Sequence, residues 1–314
     1  MTNPTVTIMP DVKRKRLIAD IQRDKYMYLM LVPGVLTLIL FAYIPMGGIV
    51  IAFQRYNIFK GFLGSEWVGL KNFESVFSSP IFLNVLKNTL IISIYKLIAL
   101  FPFTIFVSLL LNEIRNRLFK RSIQTLLYIP FFISWVVISG IMLSILSPTY
   151  GIAGDIYRAL GMTPVNLMAS AKHFRMLVVV SEVWKSVGSG TILYLAAIST
   201  IDPNLYEAAF MDGANRWKMM WHITLPSLNR VIVLNLILSI GFIMSAGFDQ
   251  ILVMRNPMIL DVGEIFDTYV YQIGLVNRSY SFSTALGLFK GVVTIILIST
   301  ANLFAKKIGE EGIL

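Results

Sequence analysis

Long apolar runs alternate with short polar segments along the whole chain. The first uncharged run covers residues 26–54, and a helix needs only about 20 residues to cross the hydrocarbon of a bilayer. Backbone groups in hydrocarbon must find their hydrogen-bond partners within the protein, so each run is expected to be helical. The pattern predicts an all-α integral membrane protein with six transmembrane helices, the remaining five apolar runs being residues 83–112, 122–146, 174–199, 227–252 and 283–305.

Composition agrees with a membrane location. The chain is 56% hydrophobic and 14% charged, whereas a soluble domain is about 25% charged. It has no cysteine, which excludes disulfides, thiol catalysis and cysteine-ligated metal sites. His173 and His222 lie far apart in sequence, and a metal site needs several converging ligands. The net charge of +10 lies mainly in short loops and in the tail, which favours anionic lipid rather than nucleic acid as its partner.

The distribution of basic residues predicts the orientation. The outer loops, residues 55–82, 147–173 and 253–282, hold three, two and two Lys and Arg residues. The other polar segments are shorter and hold six, four, two and two; they are residues 1–25, 113–121, 200–226 and 306–314. Since positive charge accumulates in short cytoplasmic loops, both termini are expected in the cytoplasm.

The predicted spans and orientation divide the chain into a basic cytoplasmic N-terminal segment (1–25), a six-helix membrane domain (26–305) and a cytoplasmic tail (306–314). Residues 1–25 are compatible with an amphipathic turn on the membrane surface or with a disordered basic tail, and both alternatives stay open. A secretory signal peptide is not favoured, because the following run is too long and lacks a clear cleavage site. Residues 155–164 and 261–270 are expected to form short surface elements.

A polar island, residues 202–226, separates the fourth and fifth apolar runs. Asp202 is a suitable helix N-cap, and Pro203 fits the first helical position, where its missing N–H costs nothing. Gly213 is expected to end the helix that follows. The sequence thus predicts a short helix, a glycine break and a second short segment that returns to the membrane at Pro226.

These residues carry a family resemblance. Glu207-Ala208-Ala209, Gly213 and Ile223-x-Leu225-Pro226 resemble the EAA loop of bacterial ATP-binding-cassette (ABC) import permeases, the alternative being an ordinary cytoplasmic connector. Further motifs extend the resemblance, within the carbohydrate-uptake permeases, to the branch that handles oligosaccharides of complex polysaccharides. They include WVGLKNF (67–73), YIPFFISW (128–135), DTYVY (267–271) and GLFK (287–290).

The resemblance implies the ABC type I importer transmembrane-domain fold in a bacterial cytoplasmic membrane. It implies a pore shared with a second homologous permease subunit, a dimer of ATPase subunits below it, and an extracytoplasmic solute-binding protein above it. The EAA helix of such permeases sits in a groove on the ATPase, and this implies an ATPase-coupling role for Glu207, Ala208, Ala209, Asp212 and Gly213. The chain has no Walker A pattern, so ATP and Mg are expected on the partner ATPase, with no cofactor in this chain.

Exposed apolar side chains would suit the same contact. Two alanines allow another helix to approach closely, while large aromatic and methionine side chains are typical of protein interfaces. The segment supplies Tyr206, Phe210, Met211, Trp217 and Trp221, although some of these could instead cover the helix ends of this chain.

Polar residues inside the apolar runs are candidates for the substrate pathway, because intramembrane charge is costly and tends to face a cavity or a partner. Glu182 and Lys185 are three residues apart and could pair on one helix face. A lysine would complement an acidic sugar, and the alternative is a structural ion pair or a lysine that reaches the interface. The candidates are Lys96, Trp135, Glu182, Trp184, Lys185, Asn235 and Asp249.

Together these features indicate a non-enzymatic pore subunit of an ATP-driven oligosaccharide importer that works by alternating access. The oligosaccharide could be acidic, and a simple sugar or a non-sugar solute is the alternative substrate. An ion-coupled secondary transporter is a less favoured class, since it would not need the EAA loop and would often show inverted repeats. A membrane enzyme would need clustered acids or a metal site, and none is evident in the sequence.

Overall fold

The computed structural model describes residues 23–307 and residue 309. Residues 1–22, 308 and 310–314 lie outside the described part. Most of the predicted N-terminal segment (1–25) and of the predicted tail (306–314) therefore falls there.

The described chain is mainly helical, with one two-stranded hairpin. The hairpin pairs β1 (Gln54–Arg55) with β2 (Glu66–Trp67) in antiparallel fashion. The α-helices are α1 Lys25–Leu38, α2 Ile44–Met46, α3 Gly61–Gly64, α4 Lys71–Phe77, α5 Pro80–Glu113, α6 Arg117–Phe132, α7 Trp135–Ile145, α8 Ile152–Ala159, α9 Ala171–Ile198, α10 Pro203–Met211, α11 Arg216–Met219, α12 Leu225–Ser227, α13 Asn229–Gly241, α14 Phe248–Met254, α15 Leu260–Gly263, α16 Phe266–Tyr271 and α17 Tyr280–Lys307. Single π-helical turns cover Ile39–Tyr43, Met220–Thr224 and Gln272–Val276, and 3-10 turns cover Gly47–Phe53, Leu167–Ala169 and Pro257–Ile259.

Six parts of the described chain are long and apolar enough to cross a membrane. Four are continuous helical segments: Lys25–Phe53 (span 1), α5 (span 2), α9 (span 4) and α17 (span 6). Two are bent pairs, α6 with α7 (span 3, bent by 99°) and Arg216–Ser227 with α13 (span 5, bent by 59°). Counting each bent pair as one span gives the six spans expected from the apolar runs.

Span 3 departs from the single helix expected over residues 122–146. Helix α6 ends at Phe132, Ile133 is extended, and the Ser134 side chain caps α7 by accepting a hydrogen bond from the Val137 N–H. Pro130 lies in the last turn of α6 and has no N–H to give to that turn. The break leaves helix-end carbonyl groups within an apolar stretch, and these need donors from elsewhere.

The fifth apolar run, expected as a helix over 227–252, is also interrupted. Helix α13 ends at Gly241, residues 242–247 form a turn, and α14 begins at Phe248. Ala246 and Gly247 have φ angles of 48° and 88°, in the left-handed region that only glycine enters at low cost. We call residues 242–247 the 242–247 turn.

The outer segments are packed onto the spans. Trp67 stacks on Phe53 with ring centroids 5.7 Å apart. Helix α8 is a mostly exposed element, close to the one expected at residues 155–164. The expectation of a surface element at residues 261–270 is wrong. Ile265 and Phe266 there are fully buried. Ile265 belongs to a buried cluster with Phe174, and Phe266 packs against α5 and α17.

Helices α5 and α9 form the centre of the fold, and they pack against each other along much of their length. One buried cluster joins α5, α16 and α17 around Phe82 and Leu286. A second surrounds Phe174 of α9. A third contains Leu109, Ile198, Met220 and Leu228. The third cluster attaches the 202–226 segment to the ends of α5 and α9.

Candidate functional site

A cavity of about 700 Å³ opens between α5, α9, α13 and the 242–247 turn. Aromatic rings on its wall come from Phe101, Phe131 and Phe242. Between them lie hydroxyl and amide groups, namely Ser93, Thr104, Ser186, Ser189, Tyr194, Asn235, Ser239 and Ser245. A wall of apolar faces with a few directed polar groups is typical of a site for a small polar organic molecule.

Lys96 of α5 is buried at this cavity and uses its whole ammonium group. Its Nζ donates to Glu182 Oε2 at 3.0 Å, to the Ala246 carbonyl at 2.9 Å, and to Gln250 Oε1. An ammonium has three N–H donors, so these three acceptors satisfy it. The side chains of Lys96 and Glu182 are 10% and 19% exposed, which makes this an ion pair within the membrane domain.

The network around Lys96 extends into α9. Glu182 Oε1 accepts a hydrogen bond from the Ser186 hydroxyl at 2.7 Å. The Gln250 amide donates to the Val178 carbonyl at 2.8 Å and to the Ser181 hydroxyl at 2.9 Å. The residues of α5, α9 and α14 thus share one connected set of polar contacts beside the cavity.

The expectation that Glu182 pairs with Lys185 is wrong. Glu182 is taken by Lys96 of α5, and Lys185 points instead to the break in span 3. Its Nζ donates to the carbonyls of Pro130, Phe131 and Ile133 at 3.2, 2.8 and 2.5 Å. Lys185 makes these contacts because the broken helix has carbonyl groups that need donors. The spacing of Glu182 and Lys185 along α9 gives no information about a break in another helix.

Two aromatic rings complete the surroundings of Lys185. Its Nζ lies 5.6 Å from the centroid of the Phe131 ring and 5.5 Å from that of Trp135. Cation–π contacts at this distance are favourable, and more so when the cation is desolvated. Lys185 is buried, at 9% exposed.

The seven residues predicted for the pathway do not gather in one place. Lys96, Glu182 and Asn235 line the cavity, and Asn235 donates to the Tyr194 hydroxyl at 2.8 Å. Trp135, Trp184, Lys185 and Asp249 are not part of the lining. Trp135 lies beside Lys185, Trp184 is 51% exposed in an apolar groove, and Asp249 is exposed in the first turn of α14.

Several residues that line the cavity were not predicted from the sequence. Tyr194 and the serines of α9 carry no charge and sit in an apolar run, so hydropathy gives no signal for them. Phe131 belongs to the motif YIPFFISW, which was the one available pointer to its importance.

The 202–226 segment has the local structure expected of it. The Asp202 side chain accepts a hydrogen bond from the Asn204 N–H at 3.0 Å, and Pro203 occupies the first turn of α10. Gly213 follows the helix with a φ of 77°, a conformation that favours glycine. Asn215 then caps α11 by accepting from the Lys218 N–H. The predicted cap, helix and glycine break are confirmed.

Most of the side chains expected at a protein contact are exposed in this segment. Glu207, Ala208, Asp212 and Gly213 are exposed, and Ala209 is half-buried. The aromatic and methionine side chains Phe210, Met211, Trp217 and Trp221 are 54–83% exposed. Tyr206 is the exception, because it is half-buried and its hydroxyl lies 2.9 Å from that of Thr224, at the other end of the segment.

Within residues 23–307 and 309, no group of three or more His, Asp or Glu side chains is arranged to hold a metal ion. The charged groups that line the cavity, Lys96 and Glu182, are engaged with each other and with further protein groups.

Residues 101–310 match the family of the binding-protein-dependent transport system inner membrane component. The chain belongs to this family. Among its relatives is YteP of Bacillus subtilis (strain 168), the polygalacturonan/rhamnogalacturonan transport system permease protein. It is 48% identical over 301 residues, covering 96% of this chain and 94% of YteP. Protein LplB of the same organism is 44% identical over 296 residues, covering 94% of this chain and 93% of LplB.

Two solved structures resemble this permease over nearly its whole length. One is a bacterial ABC transporter involved in the import of the acidic polysaccharide alginate. Its chain is 34% identical, with a TM-score of 0.86, and the match covers 93% of this permease and 99% of that chain. The other is the bacterial alginate ABC transporter in complex with an alginate pentasaccharide-bound periplasmic protein. It is 34% identical with a TM-score of 0.87, covering 95% and 100%.

These matches confirm the fold and the family resemblance drawn from the sequence. The protein is a multi-pass inner-membrane permease with the transmembrane architecture of an ABC importer.

Proposed function

We propose that this permease is one of two pore subunits of an importer that carries oligosaccharides of acidic polysaccharides into the cell. The observation that carries the proposal is the 48% identity, over 96% of the chain, to a permease named for polygalacturonan and rhamnogalacturonan. The likeness to the alginate importer adds a second polysaccharide that is acidic by name. A simple sugar or a non-sugar solute is the alternative substrate.

The cavity supports a sugar substrate. Phe101, Phe131 and Phe242 offer apolar faces to sugar rings, and the hydroxyl and amide groups between them can exchange hydrogen bonds with sugar hydroxyls. Lys96 and Glu182, the charged residues of the described lining, neutralise each other. This wall therefore recognises sugar rings rather than their carboxylates, and the charge of an acidic substrate is matched outside it.

The partners in this proposal are those of a binding-protein-dependent importer. A second, homologous permease subunit completes the pore, and an extracytoplasmic binding protein delivers the oligosaccharide. A dimer of ATPase subunits binds ATP and Mg, since the chain has no Walker A pattern. The chain itself needs no cofactor and performs no covalent chemistry.

The coupling contact in this proposal is the 202–226 segment, on the cytoplasmic side. Glu207 offers one charged group, and the small side chains of Ala208 and Ala209 let the helix sit closely in a groove on the ATPase. Asp212 and Gly213 end the helix and turn the chain away. The exposed aromatic and methionine side chains around them have the composition of a protein interface.

Transport in this scheme is alternating access. ATP closes the ATPase dimer, the 202–226 segments of both permeases move with it, and the cavity opens to the binding protein. Hydrolysis then reverses the movement and exposes the cavity to the cytoplasm.

Uptake by the complete complex in vesicles tests the proposal. With binding protein and ATP present, labelled oligogalacturonides should enter, and omission of ATP should stop their entry. Preferential uptake of a disaccharide would favour the simple-sugar alternative. Uptake driven by an ion gradient without ATP would refute the assignment as an ATP-driven importer.

A further inference from the structure

Helix α9 reaches the break in span 3 and the 242–247 turn through two charged residues one turn apart. Lys185 contacts the break in span 3, and Glu182 contacts the 242–247 turn through Lys96. We propose that α9 sets the shape of the translocation cavity through these two anchors, and that Lys96, Glu182 and Lys185 are positioning residues rather than sugar ligands. This inference rests on the proposed transport function.

The first anchor satisfies the end of α6. The last carbonyls of a helix have no partner within it, and hydrocarbon offers none. Lys185 donates to three carbonyls at this end, and its positive charge also complements the negative C-terminal end of the helix dipole. All three N–H donors are used, so none remains for a sugar carboxylate.

The first anchor also fixes part of the cavity wall. The Phe131 carbonyl accepts a hydrogen bond from Lys185, and the Phe131 ring makes a cation–π contact with the same ammonium group. Phe131 is also part of the cavity lining. The Pro130 carbonyl also accepts from the Ile133 N–H, so loss of Lys185 would remove the donor mainly from the Phe131 and Ile133 carbonyls. Phe131 would then lose its fixed position. An effect of Lys185 on transport would therefore act through Phe131 and the bend.

The second anchor holds the 242–247 turn. Lys96 binds the Ala246 carbonyl while it pairs with Glu182, and the Ser93 hydroxyl donates to the Ile243 carbonyl. Ala246 and Ile243 both line the cavity. The turn is therefore tied to α5 directly and to α9 through the Lys96–Glu182 pair.

The helices that follow the two interruptions are in contact. Helix α7 packs on α14, and the Ser139 hydroxyl of α7 donates to the Val253 carbonyl of α14 at 3.2 Å. A movement of α9 would thus shift α7 and α14 together, because one helix holds the hinges of both.

Transport by the complete complex separates positioning from sugar binding. The variants are Lys185→Met, Lys185→Arg and Lys185→Gln, with Lys172→Met, on the exposed start of α9, as the matched control. The probes are oligogalacturonides and the same oligosaccharides with their carboxyl groups reduced. We expect Lys185→Met to lower the maximal uptake rate about tenfold or more for both probes, since buried carbonyls left without donors carry their full desolvation cost.

The other variants should follow the number of donors that they retain. Lys185→Arg should recover most of the rate, Lys185→Gln should be intermediate, and Lys172→Met should stay within about twofold of the unaltered complex. A rise in KM confined to the acidic probe would show that Lys185 binds the sugar and would overturn the inference.

A distance measurement tests the bend without relying on transport. The chain has no cysteine, so spin labels can be placed at Leu126 on α6 and Leu143 on α7, both exposed. Straightening of the 99° bend would lengthen their separation by roughly 8 Å, from the helical rise of about 1.5 Å per residue. We expect Lys185→Met to shift or broaden this distance and Lys185→Arg to preserve it.

Lys185→Gln, which keeps an amide donor, provides a second test in case Lys185→Met does not assemble. If Lys185→Met is not recovered, Lys185→Gln should still broaden the distance, and unchanged distance and uptake in Lys185→Gln would overturn the inference. An unaltered complex that carries no acidic oligosaccharide would refute the proposed function instead, and the distance result would remain interpretable on its own.

Discussion

Lys290 of span 6 and Asp267 of α16 form an ion pair with Nζ and Oδ1 2.5 Å apart. Lys290 also lies 3.3 Å from the Ser245 hydroxyl, so the pair reaches the 242–247 turn, which Lys96 contacts at Ala246. These residues belong to the motifs DTYVY and GLFK, which are separated in sequence and joined in the structure. The turn is therefore held by side chains from both α5 and α17.

The first prediction concerns this pair. Lys290→Met and Asp267→Asn should each lower the stability of the assembled complex by about 1–3 kcal/mol, because each leaves a partly buried partner without its charge-assisted hydrogen bond. The double variant should lose less than the sum of the two, since it leaves no unpaired charge. Melting temperatures in detergent measure this, with Lys306→Met as an exposed control. If the losses of stability in the two single variants add up to the loss in the double variant, the ion pair contributes no interaction energy.

The second prediction concerns the Lys96–Glu182 pair. Lys96→Met should destabilise the complex more than Glu182→Gln, because it strips three acceptors of their donor and leaves a carboxylate uncompensated. The double variant should show a coupling energy of about 0.5–3 kcal/mol. Lys87→Met, exposed on the same helix, should change little.

A normal melting temperature for Lys96→Met, with a selective loss of acidic oligosaccharide uptake, would give Lys96 a role in substrate binding. It would contradict the structural role that its three acceptors indicate.

The third prediction concerns orientation. A single cysteine at Leu63, a fully exposed position in the β1–β2 hairpin, should react with an impermeant thiol reagent in intact cells. A cysteine at Leu118, exposed near the start of α6, should react only after the cells are permeabilised. The basis is the excess of Lys and Arg in the segments expected inside. Labelling in the reverse order would refute both the orientation and the cytoplasmic position of residues 202–226.

The fourth prediction concerns coupling. Removing a charged contact whose partner stays buried typically costs about 2–5 kcal/mol at an interface. Glu207→Ala should therefore release or uncouple the ATPase. Gly213→Leu should do the same because Leu is strained at a φ of 77°, although nothing lies within 4 Å of its added Cβ. Sugar uptake should fall at least about tenfold, while both permeases still insert.

The measurements for this prediction are ATPase co-purification and sugar-stimulated ATP hydrolysis. Asn204→Ala, exposed on the same helix, is the matched control. Coupled transport at normal rates in both Glu207→Ala and Gly213→Leu would leave the 202–226 segment without the proposed role.

Features that depend on local sequence were predictable. The spans follow from runs of apolar residues, and α9 covers Ala171–Ile198 where residues 174–199 were expected. The cap at Asp202 and the turn at Gly213 follow from the chemistry of those residues and their near neighbours. Such elements need no knowledge of the rest of the fold.

The two interruptions and the partners of the buried lysines were not predictable in this way. Pro130 weakens α6, but membrane helices tolerate proline, and the donor that contacts the broken end comes from Lys185 on another helix. Likewise, the spacing of Glu182 and Lys185 suggested a pair, whereas each had a stronger partner more than 50 residues away. Hydropathy indicates how unfavourable a residue is in hydrocarbon. It does not show which helix supplies the hydrogen-bond or ion-pair partner of a buried polar residue.

The separation of Lys96 and Glu182 also orders events during synthesis. The two residues are 86 positions apart, and at about 5–20 residues per second the ribosome needs about 4–17 seconds to add Glu182 after Lys96. Throughout that interval span 2 carries a cation whose carboxylate partner has not been made. Lys185 faces no such delay, because its three carbonyls were polymerised before it. We therefore expect span 2 to leave the insertion machinery for lipid together with span 4, because an unpaired charge is costly in hydrocarbon.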